Sequence, residues 1–154
     1  MPLIGFTMFR DEIMSGQKKQ TIRKLRKNPI MVDDRLYLYW HLRQRDCEKL
    51  GEADCSQVAF ISFNMASTPP MITQALDLFP FQVTLGQGQT LSSPEVEDLA
   101  IQDSFKSAIA LFEFFERIHN PQPEDVFQVI RWGKLEQTSR VGCSAVGLQR
   151  ERLV

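Results

Sequence analysis

The sequence predicts an α+β fold, a small β-barrel with flanking helices and one long helix late in the chain. The chain has 154 residues, of which 43% are hydrophobic and 24% charged, values typical of a soluble domain with a real core. Most of its apolar stretches are short and bounded by Gly, Pro, Asn or Ser, which indicates strands. Only residues 105–118 show an extended helical period. This order of predicted elements, mostly strands with one long helix late in the chain, favours a β-barrel with flanking helices.

The first half of the chain predicts four strands and one helical turn. Arg10 to Ser15 can form the turn, and Gly16 is suited to cap its C-terminal end. Asn28 and Pro29 break the strand that precedes them. The third strand is the most strongly indicated because it is rich in aromatic residues. The expected strands are Leu3–Phe9, Thr21–Leu25, Leu36–Leu42 and Gln57–Phe63.

The second half predicts two further strands and two helices. Ser93 is suited to be an N-cap with Pro94 at the first helical position of a short helix. The long helix is expected over Phe105–Ile118, with apolar residues along one face. We expect the folded domain to cover 1–135 and the segment 136–154 to be a mobile tail. The expected strands are Phe81–Leu91, bent at its glycines, and Val126–Trp132.

Cysteine usage and hydropathy exclude several classes of protein. The three cysteines, Cys47, Cys55 and Cys143, include no Cys-x-x-Cys pair, so we expect neither a disulfide framework nor a zinc site. The N-terminus does not have the pattern of a signal peptide, and no stretch is long and apolar enough to cross a bilayer. The sequence therefore predicts a cytoplasmic protein with reduced cysteines, no metal and no cofactor.

Basic residues are concentrated in one segment near the start of the chain. Six of the 18 Lys and Arg residues fall between Lys18 and Lys27, and no Asp or Glu occurs from Ile13 to Val32. The rest of the chain has 12 basic and 19 acidic residues, a balance of 12 − 19 = −7. Such a segment is typical of a surface that binds an anionic ligand.

The basic segment has the spacing Gly16-x-Lys18-x-x-Thr21-x-Arg23, which resembles the signature of the ASCH domain family, a branch of the PUA-like β-barrels. Three later segments resemble that family in the same order, so that the similarity extends from about Leu3 to Leu135. These segments are Asp33–Tyr39, resembling the strand after the signature, Leu99–Phe105, resembling the acidic turn into the long helix, and Phe127–Trp132, resembling the closing strand.

Two turns depart from the family pattern. Many members have Gly at the position of Asp33, and Asp-Gly-Phe where this chain has Asp103, Ser104 and Phe105. Loss of these glycines removes the freedom to adopt positive φ, so we expect the two turns to differ from those of the family.

The resemblance implies a cleft that binds RNA or a modified nucleoside. Some family members are amidohydrolases that deacetylate acetylcytidine with a Lys, a Thr and an acidic residue, and others have been described as nucleases. By motif position the catalytic equivalents are Lys18, Thr21 and Asp103, although the acidic residue in those enzymes is the longer Glu. The expected ligand-binding residues are Gly16, Lys19, Arg23, Lys24 and Arg26.

The chemistry of these residues leaves three functions open: a binding module, an amidohydrolase and a ribonuclease. Thr21 becomes a nucleophile only if a base removes its proton. Lys18 could do so in its neutral form, which neighbouring cations favour and a nearby Asp103 opposes. Asp103 could instead be only the N-cap of the long helix. His41 and His119 are more typical of packing or solvated positions than of catalysis, so a His-based nuclease would require tertiary approach of one of them.

Overall fold

The computed structural model describes residues 2–65, 81–86, 89–119 and 124–137. Its strands are hydrogen-bonded in the order β1-β3-β4-β6-β2, with β5 paired to β4, and they include both parallel and antiparallel pairs. This mixed sheet with helices confirms the expected α+β class. The elements are β1 (Leu3–Phe6), α1 (Arg10–Ser15), β2 (Gln20–Lys24), β3 (Arg35–Trp40), β4 (Glu48–Met65), β5 (Phe81–Leu85), α2 (Ser93–Gln102), α3 (Ala108–His119) and β6 (Phe127–Trp132).

The chain divides into two compact units, each assembled from separated stretches of sequence. The first unit comprises residues 1–19, 30–57 and 131–154, and the second comprises 20–29 and 58–130. The strands β4 and β6 contribute residues to both units.

The sheet of the first unit contains β1, β3 and the first part of β4. β1 pairs in parallel with β3, and β3 pairs antiparallel with β4, with a shift of register between Leu38 and Tyr39. Alternation along β3 points Leu36 and Leu38 into the core, where both are fully buried. The core of this unit is therefore largely aliphatic, and the ring of Phe6 meets the edge of Trp132 at its margin.

A network of charged side chains links β3, β4 and the segment after β6 in the first unit. The guanidinium of Arg35 donates to Glu52, Asp54 and Glu136 at 3.2, 3.0 and 2.7 Å. Lys49 donates to the second oxygen of Glu52 at 2.6 Å. These carboxylates raise the pKa of the Arg35 guanidinium above its usual value. Glu136, where the sequence predicts a tail to begin, also forms an antiparallel bridge with Glu52, and residues beyond 137 lie outside the described part of the chain.

Gly51 permits the close approach between β4 and the segment that contains Leu135 and Glu136. Its φ is +154°, and a Cβ built on it would lie 2.8 Å from the carbonyl oxygen of Glu136 and 2.8 Å from the side chain of Leu135. A larger residue would therefore push the backbone around Glu136 away from β4.

The core of the second unit is aromatic. The rings of Phe63, Phe115 and Phe127 lie 5.3 to 5.4 Å apart and are almost fully buried. β5 pairs antiparallel with the end of β4, after which the chain reverses: the N–H of Leu91 donates to the carbonyl of Val83. The expectation of one bent strand up to Leu91 is therefore wrong, because β5 ends at Leu85 and residues 89–91 pair back onto it.

Both helices of the second unit begin close to the expected residues. α2 has a capping box in which Ser92, one residue before the expected cap, and Glu95 bond each other's backbone N–H groups. These hydrogen bonds lower the pKa of Glu95. α3 begins at Ala108, three residues later than expected, and buries Leu111, Phe112 and Phe115 along one face.

Both departures from the family pattern keep the backbone conformation that glycine would favour. Asp33 has φ 75° and Ser104 has φ 71°, so both lie in the left-handed region. The expectation that these turns differ because they lack glycine is therefore not supported at the level of backbone conformation.

The cysteines differ from one another. Cys47 carries a disulfide bond, so the expectation of reduced cysteines is wrong there, because an odd count does not forbid one bridge. Cys55 is a buried free thiol, and burial raises its pKa. Cys143 lies outside the described residues.

Candidate ligand-binding site

The signature segment begins in a loop that its backbone fixes. Gly16 caps α1 in the left-handed conformation with φ 85°, as expected, and its N–H donates to the carbonyl of Ile13. The N–H of Lys18 then donates to the carbonyl of Glu12 at 2.9 Å. The glycine therefore turns the chain so that Lys18 points back towards α1.

Lys18 is buried in the first unit, with 2% of its surface exposed. Its Nζ lies 5.1 Å from the centroid of the Phe9 ring, which is within the range of a cation–π contact. Phe9 has φ 66°, which is unusual for a bulky residue and costs backbone energy. The strained backbone at Phe9 thus places an aromatic ring against a buried cation.

β2 continues the segment in the second unit with two buried polar residues, Gln20 and Thr21. The amide Nε2 of Gln20 donates to the carbonyl of Leu99 at 3.1 Å and to Oδ1 of Asp103 at 3.3 Å. Asp103 is 4% exposed. Gln20 therefore joins β2 to the end of α2 through a buried polar contact.

Asp103 is the C-cap of α2, with its N–H bonded to the carbonyls of Leu99 and Ala100. Its interpretation as the N-cap of the long helix is therefore wrong, since α3 begins five residues later. A carboxylate at the C-terminal end of a helix faces the negative end of the helix dipole. Burial disfavours its charge further, so Asp103 depends on its neighbours for stabilisation.

Arg23 supplies positive charge to this cluster. Its Nε donates to Oγ1 of Thr21 at 3.0 Å. Burial lowers the pKa of the Arg23 guanidinium to about 10, the charge of Asp103 acts in the opposite direction, and Arg26 lowers it slightly. Arg23 consequently stays protonated at neutral pH and holds the hydroxyl of Thr21 as a hydrogen-bond acceptor.

The second unit thus brings together three of the expected site residues, Thr21, Arg23 and Asp103. The position of Lys18 relative to them stays a prediction. Gln20 was not predicted as a site residue, because a single glutamine in a short strand carries no signal until its partner on α2 is known. We name these four residues of the second unit, Gln20, Thr21, Arg23 and Asp103, the β2 polar cluster.

The remaining basic positions differ in exposure. Lys19, Lys24 and Lys27 are exposed, whereas Arg26 is half-buried and burial lowers its pKa. Within the described ranges, Lys24 and Lys27 make no ion pair. Their ammonium groups are therefore available to an anionic ligand.

Among the residues that the structure describes, no group of His, Cys, Asp or Glu side chains could hold a metal ion. No helix in that part of the chain is long and apolar enough to cross a membrane.

A scan against protein-family models finds none that matches this chain, and searches of the curated proteins and of the solved structures find no match either.

Proposed function

We propose that this chain is an ASCH-type protein on a PUA-like barrel with one long late helix, and that it binds RNA or a modified nucleoside. The sequence motifs in their family order support the fold and the ligand class. The observation that carries the proposal is buried Asp103 at the C-terminal end of α2. Helix dipole and burial both disfavour a carboxylate there, and a buried ionisable group that is kept in unfavourable surroundings is typical of functional sites.

The β2 polar cluster has the donors and acceptors that recognise a nucleoside. A base presents hydrogen-bonding edges, which carboxylate, amide and guanidinium groups can match. The exposed Lys24 and Lys27 follow directly along the chain and suit the phosphates of a polynucleotide. The cluster would read the base, and the lysines would add affinity that does not depend on sequence.

The test is a titration with a single-stranded oligoribonucleotide at several salt concentrations. We compare the double variant Lys24→Ala/Lys27→Ala with the control Lys106→Ala/Lys134→Ala, which removes the same charge from two other exposed positions. Each lost phosphate contact reduces the slope of log affinity against log salt by about 0.7, so the first variant should lose about 1.4. Equal behaviour of the two variants, or no binding by the wild type, would contradict the proposal for RNA.

An amidohydrolase acting on acetylcytidine is the second candidate. Thr21 and Asp103 are both buried in the second unit, and Lys18 precedes Thr21 by three positions, as the family motif requires. The hydrogen bond from Arg23 to Thr21 favours binding over catalysis, because a guanidinium cannot accept the hydroxyl proton.

Acetyl release from acetylcytidine distinguishes these candidates. We expect the wild type to bind cytidine derivatives without turnover over hours. If acetate is released, Thr21→Val should reduce kcat by orders of magnitude with little change in affinity, and Lys18→Ala should do the same. Gel analysis of the RNA from the titration tests the third function class, the ribonuclease, which predicts shortened products.

A further inference from the structure

His119 presents an exposed aromatic ring on a rigid base. It is the last residue of α3, and its ring centroid lies 5.2 Å from that of Phe115 at an interplanar angle of 32°. The Phe127 ring meets it from β6 at 5.6 Å and 73°. Both phenyl rings are fully buried, whereas His119 is exposed. One side of the imidazole is therefore held by the aromatic core and the other faces solvent.

The basic end of β2 lies beside this ring. The N–H of Leu25 donates to the carbonyl of Val126 at 3.0 Å, and the N–H of Trp132 donates to the carbonyl of Lys19 at 3.0 Å, so that β2 and β6 run antiparallel with Lys24 opposite Phe127. Side chains opposite each other in such a pair project from the same face of the sheet. Lys24 consequently projects from the same face of the sheet as Phe127, whose ring contacts His119.

The electrostatic surroundings of His119 agree with this arrangement. Burial lowers the pKa of His119 first, and the charges of Arg23 and Lys24 lower it further. The two charges that lower the pKa of His119 are thus both cations from β2, while Phe115 and Phe127 contact the ring from α3 and β6. The ring is neutral at pH 8 and stands in a positive field.

We propose that a nucleobase of single-stranded RNA stacks on the exposed face of His119 while Lys24 holds an adjacent phosphate. This inference rests on the proposed function and extends it from a general RNA ligand to an unpaired strand. Stacking on aromatic side chains beside basic residues is the common way in which proteins bind unpaired RNA. A ring fixed by two buried phenyl groups loses little conformational freedom when a base stacks on it.

The experiment compares His119→Ala with His119→Phe, which keeps an aromatic plane and cannot titrate. The first probe is a short single-stranded oligoribonucleotide at pH 8, and the second is an abasic oligomer of the same length, which keeps the phosphates and lacks the bases. We expect His119→Ala to weaken RNA binding about tenfold or more, and His119→Phe to bind as the wild type does. All three proteins should bind the abasic oligomer equally, and their salt slopes should match.

Three results would overturn the inference. The first is that His119→Phe binds RNA as weakly as His119→Ala does. The second is that His119→Ala also loses affinity for the abasic oligomer. The third is cleavage of the RNA that depends on His119, which would assign the imidazole an acid–base role. Thermal melting and circular dichroism of each variant establish that it is folded. If Lys24→Ala/Lys27→Ala binds RNA with the same affinity and salt slope as the control, the proposed function fails. If that variant loses affinity as expected but His119→Ala binds RNA as tightly as the wild type, the stacking inference alone fails.

Discussion

The two units differ in their cores and in the sign of the charge that each one buries. The first unit has a largely aliphatic core and a partly exposed network of ion pairs around Arg35, and its buried charged residue is the cation Lys18. The second unit has a phenylalanine core and places the charge of Asp103 in its interior. Charges at the surface can satisfy one another at little cost in desolvation, whereas a buried carboxylate is expensive to retain. The buried carboxylate of the second unit is therefore a group that we expect selection for a ligand to have retained.

The largest expected effect is in the aromatic core. Phe63→Ala should reduce the free energy of unfolding by about 3–5 kcal/mol, because it removes a buried ring that contacts Phe115 and Phe127. Phe60→Ala is the matched control, since Phe60 lies in the same strand and is 39% exposed. Urea unfolding measures both variants, and similar losses for the two would contradict the importance of this cluster.

Gly51→Ala tests the close approach in the first unit. The new methyl group would lie 2.8 Å from the carbonyl oxygen of Glu136, so we expect a loss of about 1–3 kcal/mol from overpacking. Gly133→Ala is the control, because a Cβ there meets nothing within 4 Å. Urea unfolding of the two variants should differ; equal stability would show that the Glu136 segment moves aside without cost.

The charged network of the first unit should contribute less. Arg35→Met removes the partner of three carboxylates, and we expect a loss of about 1 kcal/mol because the group is partly exposed. At 1 M salt the loss should shrink, since screening acts over about 3 Å there. Arg35→Lys should recover part of the stability. A loss that is independent of salt would indicate packing and not charge.

Two glycine substitutions compare one turn from each unit. Ser104→Gly should stabilise the protein by about 0.5–1 kcal/mol, because it relieves a positive φ. It also removes a buried hydroxyl that has no hydrogen-bond partner among the described residues. Asp33→Gly should gain less, since Asp tolerates this conformation better than Ser does. Thermal melting compares the stability gained by the two variants, and a larger gain for Asp33→Gly than for Ser104→Gly would contradict this expectation.

Local features of the fold could be predicted from the sequence where one residue determines them. The Gly16 cap and the aromatic strand β3 follow from residue type alone. β4 could not be predicted in full: the sequence indicates a strand only from Gln57, whereas it begins at Glu48. The segment around Gly51 has no strand signal of its own in the sequence: the strand is seen in its backbone pairing with β3, where Arg35 bonds Glu52 and Asp54.

The candidate site could be predicted only in part, because some of its residues depend on tertiary partners. Thr21 and Arg23 are neighbours on one strand, and Asp103 was expected from a motif. Gln20 gains its role from Asp103, which is 83 positions away in sequence, and His119 gains its role from Arg23 and Lys24 on the distant strand β2. No pattern within a short window of sequence indicates such contacts.

The division of the chain into interleaved units has a consequence for the order of folding. The chain passes between the units after residues 19, 29, 57 and 130, so neither unit is complete until most of the chain is available. On a ribosome, the second unit would lack β6 until residues near 130 have emerged. Folding is slow when long loops must close before native contacts offset the entropy lost in closing them. We therefore expect slow refolding dominated by distant contacts, and no linker at which the protein could be divided into two independently folding halves.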